Sequence, residues 1–205
     1  MDQIIAEILT YASAHQLEAI GAIAGLLCVW MLMRQLIWTW PLGVTYAVIS
    51  VYLFVDARLY GQVLLHVYFV VMNLYGWYHW IFGRGAGEER LLVTMTSMKV
   101  MSVVLGLSTV GVIVLATLFD AFTDADLPYL DMSIAVLSVG AMWLTARKKL
   151  ESWVLWLVID VAYLVIFYLT KNYFYLLLYL GYIPMAVEGF FLWRRDLVLT
   201  PAPTH

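Results

Sequence analysis

Charge and cysteine are both scarce in this chain of 205 residues. Only 12% of the residues are charged, about half the ~25% share of ordinary soluble domains. The single cysteine, Cys28, excludes an internal disulfide and a zinc site built from several cysteines. The net charge is −3 and there is no long basic run, so we expect no nucleic acid among the partners.

Signatures of nucleotide binding and hydrolysis are also lacking. The sequence has no GxxxxGK[ST] loop for ATP, and neither HExxH nor GxSxG occurs. We therefore predict no enzyme activity, no cofactor and no resident metal. A membrane-embedded enzyme stays as the alternative from another class, because His66 and Asp160 could in principle form an acid–base pair.

Apolar residues are what the chain has in excess. They make up 64% of it, and the mean hydropathy is +0.89. A soluble protein of 23.4 kDa has too little interior to bury that much apolar surface, so the composition predicts an integral membrane protein.

Seven apolar runs are long enough to cross a bilayer as helices, which need ~20 residues each. Each run is continuously apolar, whereas the strands of a membrane barrel alternate apolar and polar residues. The sequence thus predicts an all-α membrane protein with seven transmembrane helices. The runs are 17–33, 36–54, 59–82, 100–119, 129–146, 153–170 and 174–193.

The distribution of basic residues predicts the orientation of these spans. Cytoplasmic loops of membrane proteins carry an excess of Lys and Arg. With seven spans, one side of the membrane carries only Arg58 and Lys171. The other side carries Arg34, Arg84, Arg90, Lys99, Arg147, Lys148, Lys149, Arg194 and Arg195. We therefore expect the N-terminus outside the cell and the C-terminus in the cytoplasm.

An internal repeat relates the two halves of the chain at an offset of 113 residues, without gaps. The aligned pairs include Trp30/Trp143, Arg34/Arg147, Trp40/Trp153, Phe54/Phe167, Met72/Met185, Gly76/Gly189 and Trp80/Trp193. The repeat predicts one transporter domain over 1–205, with repeat one at 17–83, a linker helix at 100–119 and repeat two at 129–195. An odd number of spans per unit needs one linker span to keep both units parallel, which is a 3+1+3 transporter architecture.

Ionisable and polar groups deep in the spans are the candidate substrate contacts, because such groups are costly in a bilayer and usually face a cavity or a partner. His66, Asn73 and Trp77 share one face of span three, and Trp153, Trp156 and Asp160 share one face of span six. Their alternative roles are hydrogen bonds between helices for the polar groups and an interfacial belt for the tryptophans.

Span seven and the tyrosines complete the predicted site. Glu188 is a candidate contact, although it could instead pair with Arg194 or Arg195 nearby. The hydroxyls of Tyr46, Tyr163, Tyr179 and Tyr182 suit a pocket that holds a flat ring. Pro184 and Gly76 are the predicted hinge or gate positions.

Two motifs resemble those of the Pnu vitamin transporters. Residues 73–80 read NLYGWYHW and are similar to the NxYGWxxW signature, and residues 153–160 read WVLWLVID and are similar to WxxWxxxN/D. The resemblance covers nearly all of the chain. It implies a fold similar to the SWEET sugar transporters and the bacterial cytoplasmic membrane as location. It further implies facilitated diffusion of an unphosphorylated vitamin, trapping by a cytoplasmic vitamin kinase, and a homotrimer.

Within that family, the acidic residues favour the thiamine branch over the nicotinamide riboside branch. The riboside branch typically ends the second motif in Asn, whereas this chain has Asp160 there and carries a second carboxyl at Glu188. Two carboxylates could face the cationic thiazolium ring and the aminopyrimidine edge of thiamine. Nicotinamide riboside, which is also a cation, is the alternative substrate, and a riboflavin-like ring is a further one.

The predicted topology can be tested with reporters. A reporter fused after Arg195 should be cytoplasmic, and a tag placed before Ile4 should be accessible from outside intact cells, because the basic residues are split nine to two. An N-terminal tag that is reached only after permeabilisation would contradict the model of seven spans.

Overall fold

Seven long helices make up the computed structural model, which describes residues 10–11, 13–14, 16–56, 60–85, 89–122 and 128–198. The helices are α1 (Gln16–Met33), α2 (Thr39–Asp56), α3 (Tyr60–Phe82), α4 (Met98–Phe122), α5 (Pro128–Ala146), α6 (Ser152–Leu169) and α7 (Tyr173–Val198). They correspond one for one to the predicted spans. The largest difference is at the end of α7, which reaches Val198 instead of 193. Arg58 lies outside the described residues.

Helix length and apolarity distinguish these helices. Among the described residues, α4, α5, α6 and α7 are long and apolar enough to cross a membrane, and α1 and α2 are shorter apolar helices. α3 has 23 residues, but His66, Asn73, His79 and its many Tyr and Trp residues lower its hydropathy. α3 thus combines a spanning length with several polar side chains, and it packs against α2 and α5.

Six of the helices form a closed ring. Along the ring α1 packs against α2, α2 against α3, α3 against α5, α5 against α6, α6 against α7, and α7 against α1. Within the described part of the chain, α4 packs against α5 alone. Exchanging α1, α2 and α3 for α5, α6 and α7 leaves this set of neighbours unchanged.

The turns after α1 and α5 have the same hydrogen-bonded geometry. Gln35 and Lys148 both have φ of 56°, in the left-handed region. At the first turn the Gln35 amide donates to Leu32 O (2.9 Å) and the Leu36 amide to Met31 O (2.9 Å). The amides of Lys148 and Lys149 make the equivalent pair of bonds, also at 2.9 Å. Both helices thus end in a Schellman motif, at positions related by the repeat offset.

Tryptophan packed on glycine sets the distance between helices in each half. A Cβ added to Gly76 of α3 would fall on the indole ring of Trp40 from α2. A Cβ added to Gly189 of α7 would lie 2.6–2.7 Å from ring atoms of Trp153 from α6. Only glycine allows this approach, since real Cβ contacts are longer.

Four indole rings join the two halves at the end of the ring where the positive-inside rule places the cytoplasm. Trp40 and Trp80 form an edge contact (centroids 5.2 Å apart), as do Trp153 and Trp193 (5.4 Å). Trp80 and Trp193 then meet across the halves at 5.9 Å. We call these four residues the tryptophan cluster. It forms the centre of the largest buried core, with Met33, Met72 and Met142 around it.

The glycine contact predicts a specific loss of stability. Gly189→Ala should destabilise the protein by about 1–3 kcal/mol, because the added methyl group would force the Trp153 indole out of its place. The measurement is the Tm in detergent, which should fall by roughly 2–4 °C per kcal/mol.

Gly106→Ala in α4 is the matched control. A Cβ there meets no atom within 4 Å, and Ala favours the helix, so its Tm should stay the same or rise. Equal Tm values for Gly189→Ala and Gly106→Ala would contradict the packing role of Gly189.

Candidate functional site

A buried carboxyl lies inside the ring on α6. Asp160 is only 8% exposed. In the part of the chain that the structure describes, no hydrogen bond or salt bridge reaches its carboxyl group, and the one described ion pair joins Arg90 and Asp196. A buried carboxylate without a partner is costly, so this position suits a group that meets a ligand cation.

Tyrosine hydroxyls from three helices lie near this carboxyl. Asp160 and Tyr46 are both electrostatic neighbours of Tyr163, Tyr179 and Tyr182. The ring of Tyr179 lies 4.8 Å from that of Tyr163 and 5.4 Å from that of Tyr182. The structure thus brings Asp160 and the four predicted tyrosines together.

Glycine in α1 makes room for one of these hydroxyls. A Cβ added to Gly25 would collide with the Tyr182 hydroxyl, so the tyrosine reaches from α7 to the backbone of α1. The ring edge of Tyr46 from α2 lies 3.5 Å from a Cβ added to Gly21, which is an ordinary contact. Gly25 is therefore the α1 glycine that the position of Tyr182 requires.

Two predicted polar groups of α3 have separate surroundings. Asn73 is 8% exposed and donates to Phe69 O (2.8 Å), while its Oδ1 lies against Gly43 of α2, where no side chain interferes. His66 is also 8% exposed. Its Nδ1 is 2.9 Å from Gln62 O, and its ring lies 4.8 Å from that of Phe54.

The two predicted tryptophans of α6 have different roles. Trp153 belongs to the tryptophan cluster, where it is 2% exposed. Trp156, one turn nearer to Asp160, is partly buried, and its Nε1 donates to the Thr145 hydroxyl (2.9 Å). Trp156 is thus the tryptophan that lies between the cluster and the buried carboxyl.

Three further candidates lie on exposed faces. Glu188 and Pro184 of α7 are exposed, and Trp77 of α3 is 36% exposed. Their contact with a substrate stays a prediction. Gly76, predicted as a hinge, is buried beneath Trp40 and has a packing role; motion at Gly76 or Pro184 stays a prediction.

The residues that the sequence predictions missed are those that join the halves. Trp40, Trp80 and Trp193 were not among the predicted contacts, although all three stand in aligned pairs of the repeat. The indole N–H groups of Trp40, Trp80 and Trp153 are buried without a hydrogen-bond partner, whereas Trp193 donates to Leu32 O (3.2 Å).

A lysine in the turn between α5 and α6 covers the tryptophan cluster. Lys148 is 2% exposed, and its Nζ lies 4.5 Å from the centre of the Trp80 ring and donates to Leu91 O (2.7 Å). Residues 91–96 run alongside the α5–α6 turn. The Thr96 amide donates to Glu151 Oε1 (2.8 Å) there.

Comparison with known proteins identifies the family. A family model described as nicotinamide mononucleotide transporter matches residues 15–195. The chain belongs to this family. Two relatives, the nicotinamide riboside transporters PnuC of Escherichia coli (strain K12) and of Shigella flexneri, are each 30% identical over 201 residues. The matches cover 86% of this chain and 84% of each relative.

Two more similarities extend the comparison. The riboflavin/roseoflavin transporter RibM of Streptomyces davaonensis is 27% identical over 147 residues, which cover 71% of this chain and 68% of the relative. A crystal structure of the vitamin B3 transporter PnuC has the same fold, with a TM-score of 0.75 and 23% identity. The match covers 96% of this chain and 88% of that one.

These matches identify a membrane transporter of the vitamin type, in the bacterial inner membrane with several spans. The relatives are transporters and not enzymes, which agrees with the expectation from the sequence. The expectation of thiamine gains no support, because the 30% identical relatives are named for nicotinamide riboside.

The buried lysine predicts a pH dependence of stability. Burial lowers the pKa of Lys148 to about 8, and Arg90 adds to this effect. In the unfolded chain this lysine has its ordinary pKa of ~10.4. Between about pH 8 and that value the unfolded chain therefore binds more protons than the folded chain. Stability should therefore rise with pH from about 8 to ~10.4 through this group.

The measurement compares Tm against pH for the parent and for Lys148→Met, which keeps the stem and removes the ammonium group. The parent should gain more Tm than Lys148→Met on going from pH 8 to pH 10. Lys99→Met removes an exposed ammonium and should keep the profile of the parent. Identical profiles for the parent and Lys148→Met would rule out this linkage.

Proposed function

We propose that the protein takes up an unphosphorylated vitamin by facilitated diffusion and that nicotinamide riboside is its substrate. Support comes from the two PnuC relatives, which match at 30% identity over most of the chain. No ATP-binding loop occurs in the sequence, so ATP bound to this chain does not drive transport. In the proposed mechanism the substrate moves down its own gradient. A cytoplasmic vitamin kinase then phosphorylates the substrate and keeps it inside the cell.

The proposed transport path runs between two parallel units of three helices, α1–α3 and α5–α7, with α4 as the linker. This 3+1+3 architecture, similar to that of SWEET transporters, accounts for the ring in which each helix of one unit has the neighbours of its counterpart. The basic residues favour an N-terminus outside and a C-terminus in the cytoplasm.

The observation that carries the proposed site is the buried Asp160 with the tyrosine hydroxyls around it. Nicotinamide riboside has a flat cationic pyridinium ring. A carboxylate near such a ring compensates its charge, and aromatic faces such as that of Trp156 stabilise the cation by stacking. The amide of Asn73 and the tyrosine hydroxyls are the groups that we assign to the sugar and carboxamide.

Thiamine is the second candidate, favoured by Asp160 at the position where the riboside branch typically has Asn. Thiamine could use two carboxylates, and Glu188, the other predicted one, is exposed. We therefore base the proposed site on Asp160 alone. One buried carboxylate suits either cation, and the relatives then favour nicotinamide riboside.

Titration of the purified protein with both vitamins tests the proposal through its tryptophan fluorescence. We expect tighter binding of nicotinamide riboside than of thiamine. Asp160→Asn keeps the shape and removes the charge, so it should weaken binding of the cation by ~1.5–3 kcal/mol, or roughly ten- to hundred-fold. Asp120→Asn, on an exposed residue of α4, should bind as the parent does.

Three results would count against the proposal. Tighter binding of thiamine by the parent would replace nicotinamide riboside as the substrate. Unchanged affinity in Asp160→Asn would remove the carboxylate from the site. A parent that binds neither vitamin would overturn the assignment of both.

A further inference from the structure

One side chain on α5 holds the indole of Trp156 in a single orientation. Thr145 is 2% exposed. Its hydroxyl donates to Ala141 O (2.8 Å) and accepts the Trp156 Nε1–H at 2.9 Å. A hydroxyl has one proton and an indole has one donor group. The donor and the acceptor in each of these two hydrogen bonds are therefore determined.

Thr145 is itself fixed in place. Its carbonyl accepts the Lys148 amide (2.9 Å) in the Schellman motif that ends α5. Both the backbone and the hydroxyl of Thr145 are thus anchored. The bond to Trp156 then connects the end of α5 to the second turn of α6, across the tight turn between these helices.

The orientation of the Trp156 indole matters for a ligand because of where the ring lies. Its ring packs against the core that contains the tryptophan cluster and also against a second core of Ile134, Ala141 and Ile159. Asp160 follows one turn further along the same face of α6. The Trp156 indole therefore lies between the tryptophan cluster and the buried carboxyl of Asp160.

The two halves of the repeat carry different residues at the level of Trp156. At the 113-residue offset Trp156 aligns with Gly43, and Ala186 aligns with Asn73. In one half α2 supplies the gap and α3 the side chain, because Asn73 lies against Gly43. In the other half α6 supplies the indole, and the buried Ala186 of α7 leaves the space.

We propose that Thr145 is a positioning residue of the substrate site, whose hydroxyl holds the Trp156 indole in the plane that stacks on the flat ring of the vitamin. This inference rests on the proposed function, because it needs a bound substrate with such a ring. Without the hydroxyl the indole loses its only hydrogen bond. Ordering the free indole would then cost part of the binding free energy of the substrate.

Thr145→Val is the decisive variant, because it keeps the shape of the side chain and removes the hydroxyl. We expect its dissociation constant for nicotinamide riboside to rise roughly two- to ten-fold, the range for one neutral hydrogen bond. Thr145→Ser restores the hydroxyl and should return the affinity to within about two-fold of the parent. Binding is measured by calorimetry on purified protein.

A double-mutant cycle separates positioning from a general structural effect. In a Trp156→Phe background no indole N–H exists, so Thr145→Val should cause no further loss of affinity. Thr109→Val in α4 is the matched control. The Thr109 hydroxyl also donates to the carbonyl four residues before it (2.9 Å) but accepts no indole, so its loss should leave affinity unchanged.

The outcomes distinguish this inference from the proposed function. If the parent binds and Thr145→Val binds equally well, or loses as much in the Trp156→Phe background, the positioning role is wrong while the proposed function stands. If the parent binds neither vitamin, the proposed function fails and the inference fails with it. Should Thr145→Val not fold, Thr145→Ala takes its place, and unchanged affinity there overturns the role.

Discussion

Contact between indole rings and glycine backbone is the constraint on which the ring of helices depends. In each half a tryptophan at the start of one helix lies against a glycine in the next, Trp40 on Gly76 and Trp153 on Gly189. The missing Cβ lets two helices approach while a large flat ring fills the space between them. The rings of Trp80 and Trp193 then meet, so the same packing that builds each half also joins the halves.

Packing, and not hydrogen bonding, stabilises that junction. Three of the four indole N–H groups in the tryptophan cluster are buried without a partner. Each such donor costs about 1–3 kcal/mol, which the burial of large aromatic surfaces offsets, because one such ring buries roughly 150–250 Å². Lys148 adds a cation over the Trp80 ring and ties it to the loop through Leu91 O. The fourth indole, that of Trp193, donates to Leu32 O of α1.

The helices could be predicted from the sequence because a bilayer demands long apolar runs, and all seven observed helices coincide with predicted spans. The rotation of each helix could not be predicted to the same degree. A span that is apolar on every side gives no signal for which face meets its neighbours. Glu188 and Trp77 lie on exposed faces, and their contact with a substrate stays a prediction. A signal for the tryptophan cluster did exist. The pairs Trp40/Trp153, Gly76/Gly189 and Trp80/Trp193 had already coincided in the repeat.

The halves are alike in the tryptophan cluster and differ near the buried carboxyl. The pairs Trp40/Trp153, Gly76/Gly189 and Trp80/Trp193 kept their residue types because both halves need the same packing there. The positions that differ lie further along the same helices, where Asp160 aligns with Ala47, Tyr163 with Ser50 and Trp156 with Gly43. A vitamin with a cationic ring at one end and a sugar at the other has no two-fold symmetry. At the proposed site such a molecule would meet different residues from the two halves, because the buried carboxyl and the oriented indole both occur in one half alone.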